Sequence, residues 1–414
     1  MTMSIINKYD KLLGSHQDWA EVRAKNSKKS IKQQVEMLKS GNDMADSALP
    51  LHKSIYTGEE RFDAEKKSIF LDQPLVACLS NDIAEPGQAI LFDTAGPSII
   101  VSRDKDGQAR AFLNMCTHRG AKIIEDHEPW SGSSKRLTCP FHAWTFNSAG
   151  KLVGQPGKEG FAGCEIGQRD LIEVPCAEHI GLVLVRANPE GAAIDAEDFL
   201  GDFGAELAQL ELWRAEPVKK GILNADSNWK FALDTYGESY HFGTLHKSTI
   251  AKTNYNDKNV FEPFGKHHRV SFPKFSVGEL LDLDESEWPE YDYGGVHFLF
   301  PNTVIFYGAV AADMFFTQVF RLFPDGVGKT RCHFAVYAPF GVKSDEHEKS
   351  CVAAYDATAK VVQTEDYRVA SHGYDNLLSA PKDHHVVIGA NEIALQAVHK
   401  HIADVIKMPL TQNK

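Results

Sequence analysis

The sequence has little cysteine, no long hydrophobic run and no excess of positive charge. Its seven cysteines are few for 414 residues, which argues against a disulfide framework and indicates a reduced, cytoplasmic protein. No apolar stretch approaches the roughly 20 residues that span a bilayer, and the N terminus lacks a basic region followed by an apolar core. We therefore expect no membrane span and no signal peptide. The net charge of −12, without a basic stripe, disfavours nucleic acid and anionic membranes as partners.

A nucleotide-binding loop is also missing from the sequence. No G-x-G-x-x-G run follows a predicted strand, so we predict no flavin or nicotinamide site in this chain. The apolar fraction of 43% and the charged fraction of 24% are typical of a globular protein and exclude extensive disorder. At about 100–200 residues per domain, the length predicts two or three domains.

Changes in the hydrophobic pattern divide the chain into three segments. Residues 1–69 are polar with helically spaced apolar residues, and we expect this segment to pack on the C-terminal domain. Residues 70–189 contain short β-rich runs separated by turn signals, which predicts a compact β domain. Residues 190–414 mix helices and strands. The predicted fold class is therefore α+β, with an antiparallel sheet covered by helices in the C-terminal domain.

The elements of the C-terminal segment follow from its periodicity. The predicted helices are 195–213, 230–245, 346–378 and 392–406. The predicted strands are 296–307, 314–323 and 331–337. In the β domain, strands at 98–102 and 109–113 flank a turn, and a second hairpin is predicted over 137–154.

The β segment carries two cysteines and two histidines in matched pairs. Cys116 and His118 lie in C-T-H-R-G, and Cys139 and His142 lie in C-P-F-H. Two thiolates and two imidazoles can bind tetrahedral zinc, or a 2Fe-2S cluster with cysteines on one iron and histidines on the other. Zinc sites usually pair Cys with Cys and His with His, whereas each half here contains one of each. This grouping favours the cluster over zinc.

A second group of candidate ligands lies in the C-terminal segment. Glu238, His241 and His246 form the pattern E-x₂-H-x₄-H. Two imidazoles and one carboxylate with open positions describe a non-haem iron(II) site. The histidines are five positions apart, which is about 140° on a regular helix, so we expect a bend or bulge there, allowed by Gly243. Taken alone, the two histidines are equally consistent with packing or surface positions.

Both motifs together resemble the Rieske non-haem iron oxygenase (ring-hydroxylating oxygenase) α subunit. The resemblance rests on the Cys and His pairs, then N-W-K at 228–230, then E-x₂-H-x₄-H, and it extends over about residues 49–401. Respiratory Rieske proteins carry an additional cysteine in each loop, where this chain has Ala121 and Phe141. The resemblance implies a 2Fe-2S Rieske cluster in the domain at 70–189 and a mononuclear iron(II) in the catalytic domain at 190–414.

The resemblance also implies an activity and its partners. The chain is then a terminal oxygenase that uses O₂ to hydroxylate, cis-dihydroxylate or oxidatively demethylate an aromatic or quaternary-ammonium compound. Electrons come from a separate NAD(P)H-dependent reductase, with or without a ferredoxin. The expected assembly is a homotrimer, with or without a β subunit.

The third iron ligand is expected to be a carboxylate far downstream. In the family it lies in a Glu-Asp pair on a helix, which T-E-D-Y at 364–367 matches. Asp366 falls at i+4 from Val362 and i−3 from Val369, on the apolar face of its helix, where a carboxylate needs a cation. Asp366 is therefore the predicted ligand, and Glu365 is the alternative.

Glu238 is assigned a role other than that of a ligand. In the family this acid bridges two redox centres, between an iron-ligating histidine and a Rieske histidine of the neighbouring subunit, which is His142 here. Its simpler role is to orient His241 through the second ring nitrogen. Thr235 departs from the family, which usually has Asn there, and this leaves the function of position 235 open.

Two other classes of function remain as alternatives. One is a Rieske electron-transfer protein without oxygenase chemistry, and the other is a zinc-stabilised binding module. The histidine doublets at 267–268 and 384–385 lack ligand partners at useful spacing, and we interpret them as surface or core residues.

Overall fold

A computed structural model describes residues 19–411, except 94–95, 126–130, 134–135, 164–168, 289–294 and 312–313. The described residues form two compact units. The first contains residues 70–199 and 212–215, and the second contains residues 19–69, 200–211 and 216–411. Antiparallel sheets and helices make up the second unit, and the predicted α+β class is confirmed. None of the described helices is both long and apolar enough to span a bilayer.

The first unit is built from three small antiparallel sheets. The central five-stranded sheet has the order Glu173–Val174, Ala109–Leu113, Ser98–Arg103, Gln88–Asp93, Ser131–Ser133. A second sheet has the order Cys176–His179, Leu182–Val185, Leu75–Leu79. The third has the order Arg136–Thr138, Thr145–Asn147, Leu152–Gly154.

The loops that carry the Cys and His pairs pack on a buried apolar core. Cys116, Cys139 and Trp144 belong to one buried cluster that includes Phe112 and Phe146 from neighbouring strands. The predicted hairpin of 98–102 and 109–113 is confirmed, with paired strands Ser98–Arg103 and Ala109–Leu113. The rigid strands on both sides thus fix where each loop leaves the sheet.

The second unit has a seven-stranded antiparallel sheet. Its order is Glu216–Ala225, Thr330–Ala338, Met314–Pro324, Thr303–Ala311, Val296–Leu299, His267–Ser271, Val260–Phe264. The prediction of one strand over 296–307 was wrong, because a turn at Phe300-Pro301 divides it into two neighbouring strands.

Three strands of this sheet were not predicted: Glu216–Ala225, Val260–Phe264 and His267–Ser271. The strand Glu216–Ala225 is mostly half-buried and contains two lysines and a glycine, so it lacks an apolar alternation. His267–Ser271 is buried at all five positions although four of its residues are polar. The pattern is hidden because these polar groups are paired inside the fold, as where Arg269 lies 3.1 Å from Glu206 and also pairs with Glu262.

Helices cover the second unit. The longer ones are Trp19–Ser40, Asp345–Val361, Tyr367–Ser379 and Ile393–Ile406. Shorter ones are Ser54–Thr57, Glu59–Glu65, Asp202–Ala208, Trp229–Asp234, Phe242–Leu245 and Phe275–Gly278. The short helix Ala196–Leu200 belongs mainly to the first unit. A π-helical turn, Val362–Asp366, joins Asp345–Val361 to Tyr367–Ser379, and another lies at Lys66–Phe70. A two-stranded sheet pairs Leu49–His52 with His385–Ile388.

Two predicted helices are interrupted. The predicted helix 195–213 is divided at Gly201, whose φ of 50° is left-handed and ends the first helical segment. The predicted helix 230–245 ends at Asp234 and resumes only for the single turn Phe242–Leu245. The intervening irregular segment carries Glu238 and His241.

Candidate metal centres

The N-W-K motif anchors the helix that leads to the histidines. The Oδ1 atom of Asn228 accepts a hydrogen bond from the backbone N–H of Lys230 at 3.1 Å and caps this helix. Glu65 accepts from Trp229 Nε1 at 2.8 Å and from Lys230 Nζ at 2.7 Å, and all three side chains are buried. Burial lowers the pKa of Lys230, and Glu65 opposes that shift. The motif is therefore a structural anchor beneath the metal site.

The end of the same helix is held by a buried polar group that the sequence did not reveal. Asp234 accepts a hydrogen bond from Tyr56 at 2.7 Å, and His399 Nε2 lies 3.0 Å from it. Next, Gly237 passes so close to Leu395 that a Cβ would lie 2.5 Å from its Cδ2. A larger residue at 237 would displace the segment carrying Glu238.

His241, His246 and Asp366 converge on one point. The two Nε2 atoms are 3.0 Å apart, and Asp366 Oδ1 lies 3.5 Å from His241 Nε2 and 3.2 Å from His246 Nε2. Within the described residues this is the one group of three or more His, Cys, Asp or Glu side chains arranged to hold a single metal ion. The arrangement matches the two-histidine, one-carboxylate set of non-haem iron(II).

The electrostatics of the three residues also suit a cation. Asp366 Oδ1 is buried and makes no hydrogen bond of ordinary geometry. Burial raises the pKa of Asp366, but the two imidazoles outweigh this effect and lower it. Burial lowers the pKa of His241, while Asp366 and Glu238 raise it to about 9. The surplus of negative charge around these rings is what a divalent metal ion would neutralise, so the residues fit the expected iron.

The backbone that brings His241 and His246 together differs from the predicted one. The predicted bend inside a longer helix was wrong, because His241 and His246 lie at the two ends of the one-turn helix Phe242–Leu245. Gly243 has a different role: it leaves room for Asn256, whose Oδ1 accepts a hydrogen bond from the backbone N–H of Gly243 at 2.6 Å. A Cβ on Gly243 would lie 2.9 Å from Asn256 Oδ1.

Glu365 and Asp366 contact the same imidazole from two sides. The Oε2 atom of Glu365 lies 2.7 Å from His246 Nδ1 and accepts a second hydrogen bond from Thr249 at 3.1 Å. The π-helical turn Val362–Asp366 places these consecutive carboxylates there. The structure thus groups Asp366 with the two Nε2 atoms and leaves Glu365 in a supporting position.

Glu238 supports the other histidine. Its Oε1 contacts His241 Nδ1, and its Oε2 accepts hydrogen bonds from the backbone N–H groups of Tyr240 and His241. Each ring of the pair therefore has a carboxylate at Nδ1, which fixes the ring orientation and leaves Nε2 to face the shared point. Thr235 points its hydroxyl to the carbonyl of Ala232 at 2.9 Å, which is an ordinary helix-end contact.

A cavity of about 610 Å³ opens beside these residues. Its described lining includes Glu238, His241, His246 and Asp366. Its aromatic lining residues are Tyr236, Phe242, Phe272, Phe306, Tyr307 and Phe320. Phe306 and Tyr307 come from the strand Thr303–Ala311, and Phe320 comes from the neighbouring strand Met314–Pro324. The size and the aromatic surface suit a small organic molecule.

The two loops of the first unit have the same backbone pattern. Cys116 N donates to Ala121 O at 2.8 Å, and Gly120 N donates back to Cys116 O at 2.8 Å. In the other loop Cys139 N donates to Trp144 O at 2.8 Å, and Ala143 N donates to Cys139 O at 3.0 Å. The fifth residue of each loop is left-handed, with φ of 81° at Gly120 and 56° at Ala143.

The four candidate cluster ligands lie together at the tips of these loops. The rings of His118 and His142 have centroids 4.7 Å apart, and His118 stacks on the buried Trp144 at 4.9 Å. Both cysteines are buried, and burial with the adjacent Cys139 thiol raises the pKa of Cys116. The Nδ1 atom of His142 is buried without a hydrogen-bond partner. Two adjacent thiols and an unpaired imidazole nitrogen fit a 2Fe-2S cluster.

The histidine doublets at 267–268 and 384–385 are core and surface residues, as interpreted from the sequence. His267 and His268 are buried strand residues, and His267 Nδ1 accepts from Phe300 N at 3.0 Å. His268 stacks on Phe298 with ring centroids 4.9 Å apart, and burial lowers its pKa to about 3. His384 and His385 are exposed.

Comparison with known protein families identifies both units. Residues 73–174 match the Rieske [2Fe-2S] domain, and residues 206–408 match the catalytic domain of the ring hydroxylating alpha subunit. The carnitine monooxygenase oxygenase subunit of Escherichia coli strain K12 is 30% identical over 194 residues, 46% of this chain and 50% of that protein. The 2-halobenzoate 1,2-dioxygenase large subunit of Burkholderia cepacia is 29% identical over 269 residues, 62% of this chain and 52% of that one. The chain thus spans about half the length of these curated relatives.

The fold agrees with that of a solved structure. A quaternary ammonium Rieske monooxygenase in complex with L-carnitine superposes with a TM-score of 0.72 at 22% identity, covering 88% of this chain and 96% of that one. At this identity the likeness is one of fold.

Proposed function

Since the chain belongs to the ring-hydroxylating oxygenase α subunits with a Rieske domain, we propose that it is the terminal oxygenase of a multicomponent system. In this proposal it uses O₂ and electrons from a separate reductase to oxidise a small organic molecule. The observation that carries the proposal is the convergence of His241, His246 and Asp366 beside a cavity of about 610 Å³. A protein that only carries electrons has no need of such a cavity next to a second metal site.

The family's two cofactors are assigned to specific residues. We propose that Cys116, His118, Cys139 and His142 hold the 2Fe-2S Rieske cluster. His241, His246 and Asp366 hold the mononuclear iron(II). When bound, the cluster supplies electrons one at a time and the iron supplies open coordination positions for O₂.

The chain's own residues prepare the iron site for this chemistry. Glu238 and Glu365 accept from the Nδ1 atoms of the two imidazoles, so both rings keep their Nε2 lone pairs aimed at the metal position. The aromatic lining removes water from the space where a substrate lies and strengthens electrostatic contacts there. Asp366 supplies the negative charge that makes the site select a divalent cation.

Electron supply is assigned to partners and to neighbouring subunits. A separate NAD(P)H-dependent reductase, with or without a ferredoxin, is the proposed donor. The proposed assembly is a homotrimeric ring, with or without a β subunit, in which the loop tips around His142 of one subunit lie against Glu238 of the next. The likeness to an enzyme for which inter-subunit electron transfer is described supports this arrangement. The cytoplasmic location stays a prediction.

The substrate is proposed to be an aromatic or a quaternary-ammonium compound. Aromatic faces in the cavity suit either class, because they pack on rings and attract cations. Relatives that act on carnitine and on 2-halobenzoate support both classes.

A single-turnover experiment with labelled oxygen tests the proposal. The purified holoenzyme is reduced under anaerobic conditions, then mixed with ¹⁸O₂ and L-carnitine, γ-butyrobetaine, 2-chlorobenzoate or naphthalene. We expect substrate-dependent loss of the reduced cluster signal and ¹⁸O in one product. The Asp366→Ala variant should keep its cluster signal and form no product. Product formation that persists in Asp366→Ala would contradict the assignment.

A further inference from the structure

The cavity beside the iron ligands contains one isolated cation. Lys274 is the single Lys or Arg among the cavity-lining residues that the structure describes. Lys274 is exposed, and its ammonium group forms no ion pair or hydrogen bond with a described residue. The other charged groups of the lining belong to the iron site. Lys274 is therefore available to a negatively charged ligand.

The backbone fixes Lys274 at this place. Asn254 and Lys274 form an antiparallel bridge, flanked by hydrogen bonds from Phe275 N to Thr253 O at 2.8 Å and from Tyr255 N to Pro273 O at 3.0 Å. Side chains of directly opposed residues in such a pair lie next to each other on one face. Both Asn254 and Lys274 line the cavity, so the lysine stands beside an amide in a polar part of the wall.

Two aromatic rings separate this polar part of the wall from the iron ligands. Phe242 lies against His246, with ring centroids 5.7 Å apart, and Phe272 lies against Phe242 at 5.4 Å. Phe272 lies two residues before Lys274, whose own backbone is extended, and both residues line the cavity. The cavity wall thus runs from an acidic metal site across an apolar surface to a cation.

We propose that Lys274 selects organic carboxylates, with the acid group on Lys274 and the apolar or cationic body of the molecule over the phenylalanines. This inference rests on the proposed oxygenase function and names the class of its substrate. An aromatic acid and a quaternary-ammonium acid share the carboxylate and differ in the body. The oxidised carbon then lies at the end of the molecule away from the acid group.

The proposal is tested by ligand binding to the holoenzyme, without turnover. Matched pairs differ only in charge: 3-phenylpropionate and its primary amide, 2-chlorobenzoate and its amide, and γ-butyrobetaine and its amide. Titration calorimetry gives the dissociation constant of each. We expect wild-type protein to prefer a carboxylate over its amide in one body class, which identifies that class. Lys274→Met should weaken that carboxylate about threefold to fivefold, the size expected for a partly exposed ion pair, and leave its amide unchanged.

Control variants separate this effect from others. Lys274→Arg should retain the preference, and Lys274→Glu should reverse it. Lys252→Met, on an exposed neighbouring turn outside the lining, should change nothing. The proposal is overturned if no wild-type pair favours the carboxylate, or if Lys274→Met weakens acid and amide equally. Failure of the oxygenase function alone would instead appear as charge-selective binding without product in the ¹⁸O₂ experiment.

Discussion

The His246 ring nitrogen Nδ1 lies 2.7 Å from Glu365 Oε2, on the side opposite the Nε2 atom that faces the metal position. The carboxylate therefore fixes the orientation of the ring and raises its basicity as a ligand. Because Asp366 follows directly in the chain, one helical turn supplies both the proposed ligand Asp366 and the support for the proposed ligand His246.

Changes at Glu365 are expected to weaken iron binding without abolishing it. Glu365→Gln keeps an acceptor for His246 but removes its charge, and Glu365→Ala removes the contact. We expect iron affinity to fall by about 10–100-fold, most in the alanine variant. The iron that each variant retains after dialysis against increasing concentrations of a chelator measures this change in iron affinity.

The control for this prediction lies on the helix Asp345–Val361, which precedes the π-helical turn. Glu346→Gln changes an exposed carboxylate near the helix start and should leave iron affinity unaltered. If Glu365→Ala lost the iron completely while Asp366→Ala retained it, the ligand would be Glu365 and the assignment of Asp366 would be wrong.

Glu238→Gln is expected to separate metal loading from electron transfer. Both centres should remain loaded, because glutamine can still accept a hydrogen bond from His241. Loss of the charge and of the strong hydrogen bond should slow oxidation of a pre-reduced cluster by substrate and O₂. Stopped-flow absorbance under single-turnover conditions measures the rate. Normal transfer in this variant, or full activity of a monomer in solution, would contradict the inter-subunit link.

Lys230→Met is expected to destabilise the second unit strongly. The substitution removes the ammonium group that lies 2.7 Å from the buried Glu65 and leaves Arg61 Nε, at 3.4 Å, as its cationic partner. Breaking a buried pair costs about 3–5 kcal/mol, and we expect a loss near the lower end of this range. Adding Glu65→Gln should recover part of the loss. Lys219→Met, which removes an exposed pair with Asp356, should cost about 1 kcal/mol or less. Denaturation followed by circular dichroism distinguishes these variants, and equal losses in Lys230→Met and Lys219→Met would contradict a buried anchor.

Gly120→Ala is expected to be tolerated by the cluster loop. Ala143 already occupies the equivalent left-handed position of the other loop, and a Cβ on Gly120 meets no described atom closer than Met115 Sδ at 4.0 Å. The cost should be about 1–2 kcal/mol, with the cluster spectrum retained. Gly150→Ala, whose Cβ would lie 2.4 Å from Phe112, should destabilise the unit far more. Loss of the visible bands in Gly120→Ala at a normal unfolding temperature would show that the loops are not equivalent.

The sequence predicted the parts of the site that are close in the chain. Cys116 with His118, Cys139 with His142 and His241 with His246 are each separated by five residues or fewer, so spacing alone reveals the pairs. Asp366 required the helical pattern of its own segment and the resemblance to a family.

The sequence did not predict contacts made across the fold. The pairing of Glu365 with His246, the buried contact of Tyr56 with Asp234 and the position of Lys274 in the cavity join residues more than twenty positions apart. The strand His267–Ser271 was missed for the same reason, because its buried polar residues are satisfied by distant partners.

The most direct test of two metal centres in one chain is the content of iron and acid-labile sulfide per chain. It is measured on wild type, Asp366→Ala and Cys139→Ser. We expect about three irons and two sulfides in wild type, about two of each in Asp366→Ala with an intact cluster spectrum, and about one iron without sulfide in Cys139→Ser. If wild type contains two irons and Asp366→Ala contains the same number, the protein is an electron carrier. A colourless protein that contains zinc would refute both centres.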